Sequence, residues 1–192
     1  SFGYSHGEIT NYCNIARDCG VDSKTVKEYY QILIDTLLAV RIEPFKRKQS
    51  RQVITKASKY YMFDVGVAGY LTKRHLAEEK GAEFGKAFEH FMLMEIAAYK
   101  SYANKDFAIN FWRTKTGLEV DFVLAQGEVA IEIKGAARID KKDMNGLDAF
   151  FQECSPKRSI IVCNEKERRI HGKIEILPWE VFLQQLWAGK IL

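Results

Sequence analysis

Cysteine, proline and histidine are scarce in this chain, and long apolar runs are absent. Its 192 residues include only 4 cysteines, 3 prolines and 4 histidines. The cysteines form no CxxC pair, which argues against structural zinc and a disulfide framework and favours a reducing compartment. No segment is apolar for long enough to cross a bilayer, and no signal-peptide pattern is present. We therefore expect a cytoplasmic protein without a membrane partner.

Two familiar kinds of catalytic site also lack support. The histidines share no metal-ligand spacing, and no serine lies in a nucleophile-elbow pattern. Apolar residues make up 47% of the chain, which is enough for a packed core. The net charge of +4 permits an anionic partner without requiring one. Because the chain opens on Ser1 rather than Met, we expect a fragment or a processed form of a longer protein.

The most informative segment is 118–134, LEVDFVLAQGEVAIEIK, where apolar residues alternate on two arms. Alternation with period two predicts a β-hairpin with one buried face. A two-residue turn or a four-residue loop predicts the same register, with Asp121 opposite Glu132 and Glu119 opposite Lys134. Opposed carboxylates repel each other unless a proton or a cation joins them. A solvated outer face is the alternative, and a three-residue loop would separate the carboxylates.

Residues 1–75 are predicted to form a winged helix-turn-helix. One helix is expected from Gly7 to Cys19 with Gly20 as its C-cap, and a second begins after an N-cap at Asp22 or Ser23. Core positions of the second helix are predicted at Val26, Tyr30, Leu33 and Leu37. A strand from Val40 to Phe45 and a basic wing follow.

Basic residues of this first unit are candidates for contact with DNA phosphates. On the second helix and in the wing they are Lys24, Lys27, Lys46, Arg47, Lys48 and Arg51. A solvated hairpin tip or a protein-docking surface explains the same charges, and both alternatives stay open.

Residues 76–192 are predicted to form an α/β domain around the hairpin. A helix from Ala82 to Tyr102 precedes it, with Glu89 at the edge of its apolar stripe and Glu95 near the middle. A strand from Phe107 to Lys115 places Trp112 opposite Asp121, as a packing or base-stacking residue, and turns Arg113 towards Glu95. After the hairpin we expect a helix from Asp140 to Gln152, a parallel strand from Ser159 to Cys163, a strand from Ile174 to Leu177 and a helix opened by Pro178.

Asp121, followed by Glu132-Ile133-Lys134 and preceded by a helical carboxylate, resembles the PD-(D/E)XK nuclease-like fold. The resemblance implies an α/β fold with a mixed sheet of the restriction-endonuclease type. It also implies that Asp121, Glu132, Glu89 and the carbonyl of Ile133 hold Mg²⁺ or Mn²⁺, and that Lys134 orients a water or stabilises developing charge. Val120 stands where many members have proline.

The whole chain is also similar to the C-terminal region of a family of prokaryotic AAA-type ATPases. The matching blocks are Tyr61–Gly66, Gly85–Glu89, Trp112–Thr114, Glu119–Asp121 and Ile131–Lys134. In that family a P-loop ATPase precedes a winged helix and a nuclease-like domain of unknown function. The segment Gly81–Lys86 is one residue too short for a Walker A loop, so we expect no ATP site in this fragment.

The resemblance leaves two functions open. One is a metal-dependent DNA phosphodiesterase, for which a homo-oligomer would suit cleavage of both strands of a duplex. The other is a catalytically idle module that binds DNA or protein, including the ATPase module, and regulates it. In that case the carboxylates form an ion-pair network around Lys134.

Overall fold

A computed structural model describes residues 6–46, 53–54, 57–73 and 80–192. The chain divides into two compact units: residues 1–43 with 56–75, and residues 44–55 with 76–192. The second unit therefore includes a segment that precedes the predicted boundary at residue 75. Among the described residues, no helix combines the length and the apolar character needed to span a membrane.

Two short helices open the first unit: α1, Tyr12–Cys19, and α2, Ser23–Asp35. Asn11 caps α1, and its side-chain oxygen accepts hydrogen bonds from two backbone N–H groups of the first turn. The helix thus begins later than the predicted Gly7. Gly20 ends α1 with φ of 67°, which confirms the predicted C-cap. Asp22 caps α2, which decides between the two predicted candidates.

A two-stranded antiparallel sheet and a third helix complete this unit. The elements are β1, Ala39–Pro44; β2, Lys59–Met62; and α3, Val65–Thr72, whose N-cap is Asp64. Val26 and Tyr30 of α2 are buried in the core, as predicted. Leu37 is not in the core: α2 ends at Asp35, and Leu37 takes a positive φ of 61° and is 81% exposed.

The second unit contains a mixed six-stranded sheet in the order β3-β4-β5-β6-β8-β7. Strands β5, β6 and β8 run parallel, and the other pairs are antiparallel. The strands are β3, Ile109–Arg113; β4, Glu119–Leu124; β5, Val129–Lys134; β6, Arg158–Cys163; β7, Arg169–His171; and β8, Ile174–Pro178. The predicted parallel pairing of the buried β6 is confirmed, whereas the exposed strand β7 was not predicted.

Three helices cover this sheet: α4, Gly81–Tyr102; α5, Asn145–Cys154; and α6, Trp179–Trp187. Helix α5 packs on β4 and β5, above a cluster that contains Ile161 and Cys163. Because side chains alternate along a strand, Ile160 and Val162 face the opposite side.

The mixed sheet and the helices that cover it confirm the predicted α/β class. The predicted helix at Asp140 starts instead as a 3₁₀ turn, Lys141–Met144, which leads into α5.

The segment after β1 extends the edge of the second unit's sheet. The backbone N–H of Phe45 donates to the carbonyl oxygen of Phe111 at 2.6 Å, and that of Ile54 donates to Arg113 at 2.9 Å. The Phe45 ring packs against Phe150, with ring centroids 5.8 Å apart. These contacts join the segment to the sheet, so it clusters with the second unit although it follows β1 in the chain.

Candidate metal and phosphodiester site

The hairpin of β4 and β5 has the predicted register. Phe122 lies opposite Ile131, and the four-residue connection Ala125–Glu128 joins Leu124 to its partner Val129. Continued by one pair, this register sets Asp121 opposite Glu132, and by three pairs Glu119 opposite Lys134. The alternative of a three-residue loop is therefore wrong.

A β-bulge interrupts the other edge of β4. Asn110 of β3 pairs with Val123, but Trp112 pairs with Val120. Two residues of β4 therefore lie opposite a single residue of β3, Phe111. One of these two residues is Asp121. The predicted pairing of Trp112 with Asp121 is wrong, because the extra residue shifts the alternation of the two strands by one position.

Asp121, Glu132 and Lys134 converge where the ladder between β4 and β5 ends. Oδ2 of Asp121 accepts a hydrogen bond from the backbone N–H of Ile133 at 2.8 Å. Nζ of Lys134 lies 2.5 Å from Oε1 of Glu132. Both carboxylates are buried, with exposed fractions of 8% for Asp121 and 7% for Glu132. The lysine therefore provides the close positive charge for a buried acidic pair.

The electrostatics of this cluster oppose full ionisation. Burial raises the pKa of Glu132 well above its usual value, and the negative charge of Asp121 raises it further; Lys134 offsets part of both effects. Burial alone would lower the pKa of Lys134, but the Glu132 and Asp121 carboxylates outweigh burial and raise it. Lys134 is therefore a stable cation, whereas Glu132 holds its proton to a higher pH than an exposed glutamate does.

These residues line a cavity of about 340 Å³ together with a turn from the distant α5 region. Lys142, Asp143 and Gly146 line its other wall. Gly146 is required by a close approach: a Cβ atom there would lie 1.9 Å from the carbonyl oxygen of Glu119. The sequence analysis missed this wall, and its only signal was the glycine within a helical segment.

The donor set is of the kind that a hard divalent cation prefers, namely carboxylate and carbonyl oxygens. Oε2 of Glu132 is buried and accepts no hydrogen bond from the described residues. Because the N–H and C=O of a strand residue lie on the same edge, the carbonyl of Ile133 faces β4 as its N–H does. Within the described part of the chain, no three His, Cys, Asp or Glu side chains are grouped closely enough to hold a metal. A cation here would thus need the backbone oxygen and water as further ligands.

Several predicted partners lie elsewhere. Glu89, on α4, is not among the described residues that line the cavity, and its role as a ligand stays a prediction. Arg113 pairs with Glu119 at 3.0 Å and not with Glu95, because β3 and β4 set them side by side. Glu95 instead accepts a hydrogen bond from Nε1 of Trp187 at 2.9 Å.

Trp112 is packed in the core. Only 1% of it is exposed, and its ring contacts Phe150 with centroids 5.5 Å apart. A nucleotide base cannot reach this ring, so the base-stacking alternative is corrected to packing.

The candidate DNA contacts of the first unit are described only in part. Lys24 and Lys27 are exposed on α2, where Nζ of Lys24 lies 4.0 Å from Glu28 and that of Lys27 lies 5.6 Å from the centre of the Tyr12 ring. Lys46 is exposed beyond β1. Three further predicted contacts lie outside the described residues: Arg47, Lys48 and Arg51.

Comparison with protein families identifies the region that contains this cavity. A family model described as a domain of unknown function (DUF4143) matches residues 84–182, just over half of the chain. The chain belongs to the DUF4143 family. Every residue that lines the carboxylate cavity lies within the DUF4143 region. A second model, also a domain of unknown function (DUF8612), matches residues 2–78.

Two curated proteins that are similar to this DUF4143 protein are mycobacterial. They are an uncharacterized protein of Mycobacterium bovis, Mb2031c, and one of Mycobacterium tuberculosis, Rv2008c. Each is 28% identical over 119 residues, which cover 60% of this chain and 26% of the relative. The match thus spans about a quarter of the relatives' length. No solved structure gives a significant match.

Proposed function

We propose that the second unit is a PD-(D/E)XK nuclease-like domain that hydrolyses phosphodiester bonds of DNA with Mg²⁺ or Mn²⁺. The observation that carries the proposal is the convergence of Asp121, Glu132 and Lys134 at one cavity beyond the hairpin's last pair. Two buried carboxylates that repel each other are a costly arrangement, and a shared cation would stabilise it.

We further propose that the chain is the C-terminal region of a prokaryotic AAA-type ATPase, with a winged helix as its first unit. The sequence blocks that resemble this family support the proposal. The mycobacterial relatives are long enough to contain an additional module, since the matched segment is 26% of their length. An ATPase module and DNA are then the expected partners.

In this mechanism each residue has a separate role. Asp121, Glu132 and the Ile133 carbonyl would hold the ion, which when bound supplies Lewis-acid stabilisation of the phosphate and a more acidic water. Asp121 is oriented for this role by its bond from the Ile133 N–H. Glu132 must lose its proton to act as a ligand. Lys134 is then able to orient the attacking water or to stabilise negative charge on the phosphate oxygens.

A second function is favoured by a specific observation. The described residues provide no group of three side-chain ligands, and Oε1 of Glu132 is already paired with Lys134. Both facts suit an idle nuclease-like domain whose charges form an ion-pair network. Such a module would bind DNA or protein and regulate the ATPase without cleaving anything.

Calorimetric titration of Mn²⁺ decides between the two functions. The variants are wild type, Asp121→Ala/Glu132→Ala, and the control Asp148→Ala/Glu180→Ala, which removes two exposed carboxylates from α5 and α6. We expect wild type and control to bind Mn²⁺ and the site variant not to bind. Absence of binding to wild type at millimolar Mn²⁺ would favour the idle module.

Cleavage is tested on supercoiled, linear and single-stranded DNA with Mn²⁺. Asp121→Ala is expected to abolish any cleavage. Cleavage that survives undiminished in this variant would refute the phosphodiesterase mechanism.

A further inference from the structure

A second cavity lies on the other side of the Lys141–Met144 turn from the carboxylate cavity. It has a volume of about 700 Å³ and is lined by that turn, by the loops that follow β5 and β6, and by both ends of β7. Lys141 lines this cavity, whereas its neighbour Lys142 lines the carboxylate cavity. The turn therefore presents a cation to each of two adjacent cavities.

The framework of the second cavity is held by one charged pair. Arg169 donates to both carboxylate oxygens of Glu165 at 2.8 Å and to the carbonyl oxygen of Ile139 at 2.9 Å. Glu165 in turn accepts from the backbone N–H of Ile139 at 2.7 Å. The hydrogen bonds from Arg169 lower the pKa of Glu165, so this pair stays ionised and neutralises itself. These bonds join the loop after β5 to the loop after β6.

The remaining lining is positively charged. Arg138 lies 3.9 Å from Asp140 in an exposed pair. Lys141, Lys166 and Arg168 have no ion-pair partner among the described residues, and the lining has one further carboxylate, Glu167. These three cations outnumber the one carboxylate, so this part of the lining carries a net positive charge. The described lining contains no Phe, Tyr or Trp, and its aromatic ring is that of His171.

We infer that this second cavity binds backbone phosphates of a nucleic-acid strand that continues into the carboxylate cavity. The inference rests on the proposed phosphodiesterase function. It adds a binding site, called here the phosphate site, for the part of the substrate strand beyond the bond that is cleaved. Lys and Arg bind phosphates by neutralising their charge and releasing counterions, without reading the sequence. The neighbouring cations of the turn, Lys141 and Lys142, would bridge the two parts of the strand.

The inference is tested by fluorescence anisotropy with a labelled 20-nucleotide DNA strand and the 192-residue chain. EDTA is present throughout, so that neither metal binding nor cleavage contributes. The test variant is Lys166→Ala/Arg168→Ala. The control is Lys105→Ala/Lys190→Ala, which removes the same charge from exposed positions that line neither cavity.

The expected result is a selective loss. At low salt the test variant should bind about tenfold more weakly, and the slope of log affinity against log salt should fall by about 1.4, or about 0.7 for each lost phosphate contact. The control should stay within about twofold of wild type. Equal losses in both variants, an unchanged test variant, or no binding by wild type would overturn the inference.

The two proposals fail separately. If wild type does not bind Mn²⁺ but the test variant selectively loses DNA affinity, the phosphodiesterase function is refuted and the phosphate site is supported. If Mn²⁺ binds to the carboxylates but DNA affinity does not change when Lys166 and Arg168 are replaced, only the phosphate site is refuted.

Discussion

The Asp121 carboxylate accepts a 2.8 Å hydrogen bond from the backbone N–H of Ile133 on the neighbouring strand. The side chain thereby engages the backbone just beyond the Phe122–Ile131 pair, the last that joins the two strands. This hydrogen bond orients the Asp121 carboxylate, and the Ile133 carbonyl faces it from the same strand edge. One local departure from regular pairing sets both candidate ligands side by side.

Lys134→Met should lower the free energy of unfolding by about 1–3 kcal/mol, because it leaves the buried Glu132 without its cation. The cost stays below that of a fully buried pair because 33% of the lysine side chain is exposed. In a Glu132→Gln background the same change should cost less than about 1 kcal/mol. Urea unfolding of the four variants in this double-mutant cycle measures the coupling; additive effects would show that the pair does not stabilise the fold.

In EDTA, the contribution of Glu132 to wild-type stability should fall as pH rises above the usual glutamate pKa of 4.5, through the raised pKa of this group. Below 4.5 Glu132 is protonated in both folded and unfolded states; above it the unfolded chain releases this proton more readily, so unfolding becomes easier. Relative to wild type, Glu132→Gln should lack this loss in chemical denaturation across a pH series. Carboxyl ¹³C NMR of Asp121→Asn should show a lower pKa for Glu132, and an unchanged pKa would contradict the repulsion.

Gly146→Ala should be strongly destabilising, by about 2–4 kcal/mol, since the new methyl group would collide with the Glu119 carbonyl in the wall of the cavity. Gly85→Ala is the matched control: it lies in α4, and a Cβ there meets no atom within 4 Å. Alanine should raise stability at this position by up to about 1 kcal/mol through helix propensity. Thermal unfolding of both variants checks the contrast, and equal effects would argue against the close approach.

Trp112→Phe should reduce stability by about 1–2 kcal/mol but leave DNA affinity within about twofold of wild type. The ring fills the core beside Phe150 and is not accessible to a base. Unfolding and anisotropy on the same samples separate packing from stacking. A large loss of DNA affinity with unchanged stability would restore the stacking alternative.

Local sequence pattern was sufficient for much of the site. Alternating apolar residues predicted the hairpin, and a connection of even length predicted its register, because side chains on a strand repeat with period two. Asp121 and Glu132 therefore came together as expected. Gly20 and Asp22 likewise predicted helix ends, because capping depends on a few adjacent backbone groups.

Errors arose where the chain departs from a regular period. The bulge in β4 moved Trp112 away from Asp121, and the positive φ at Leu37 turned that side chain out of the core. Both are backbone changes at single positions. The residue types at these positions give no sequence signal for a bulge or for a positive φ.

The sequence by itself determined the β4–β5 hairpin, its register and the juxtaposition of the two carboxylates, since these follow from neighbouring residues and repeated periods. Only the tertiary structure decided what surrounds them. Packing of α5 on β4 and β5 brings Lys142, Asp143 and Gly146 to the hairpin, and the bond of Glu165 to Ile139 shapes the second cavity. Contacts between residues so far apart depend on how whole layers pack, which no local pattern encodes.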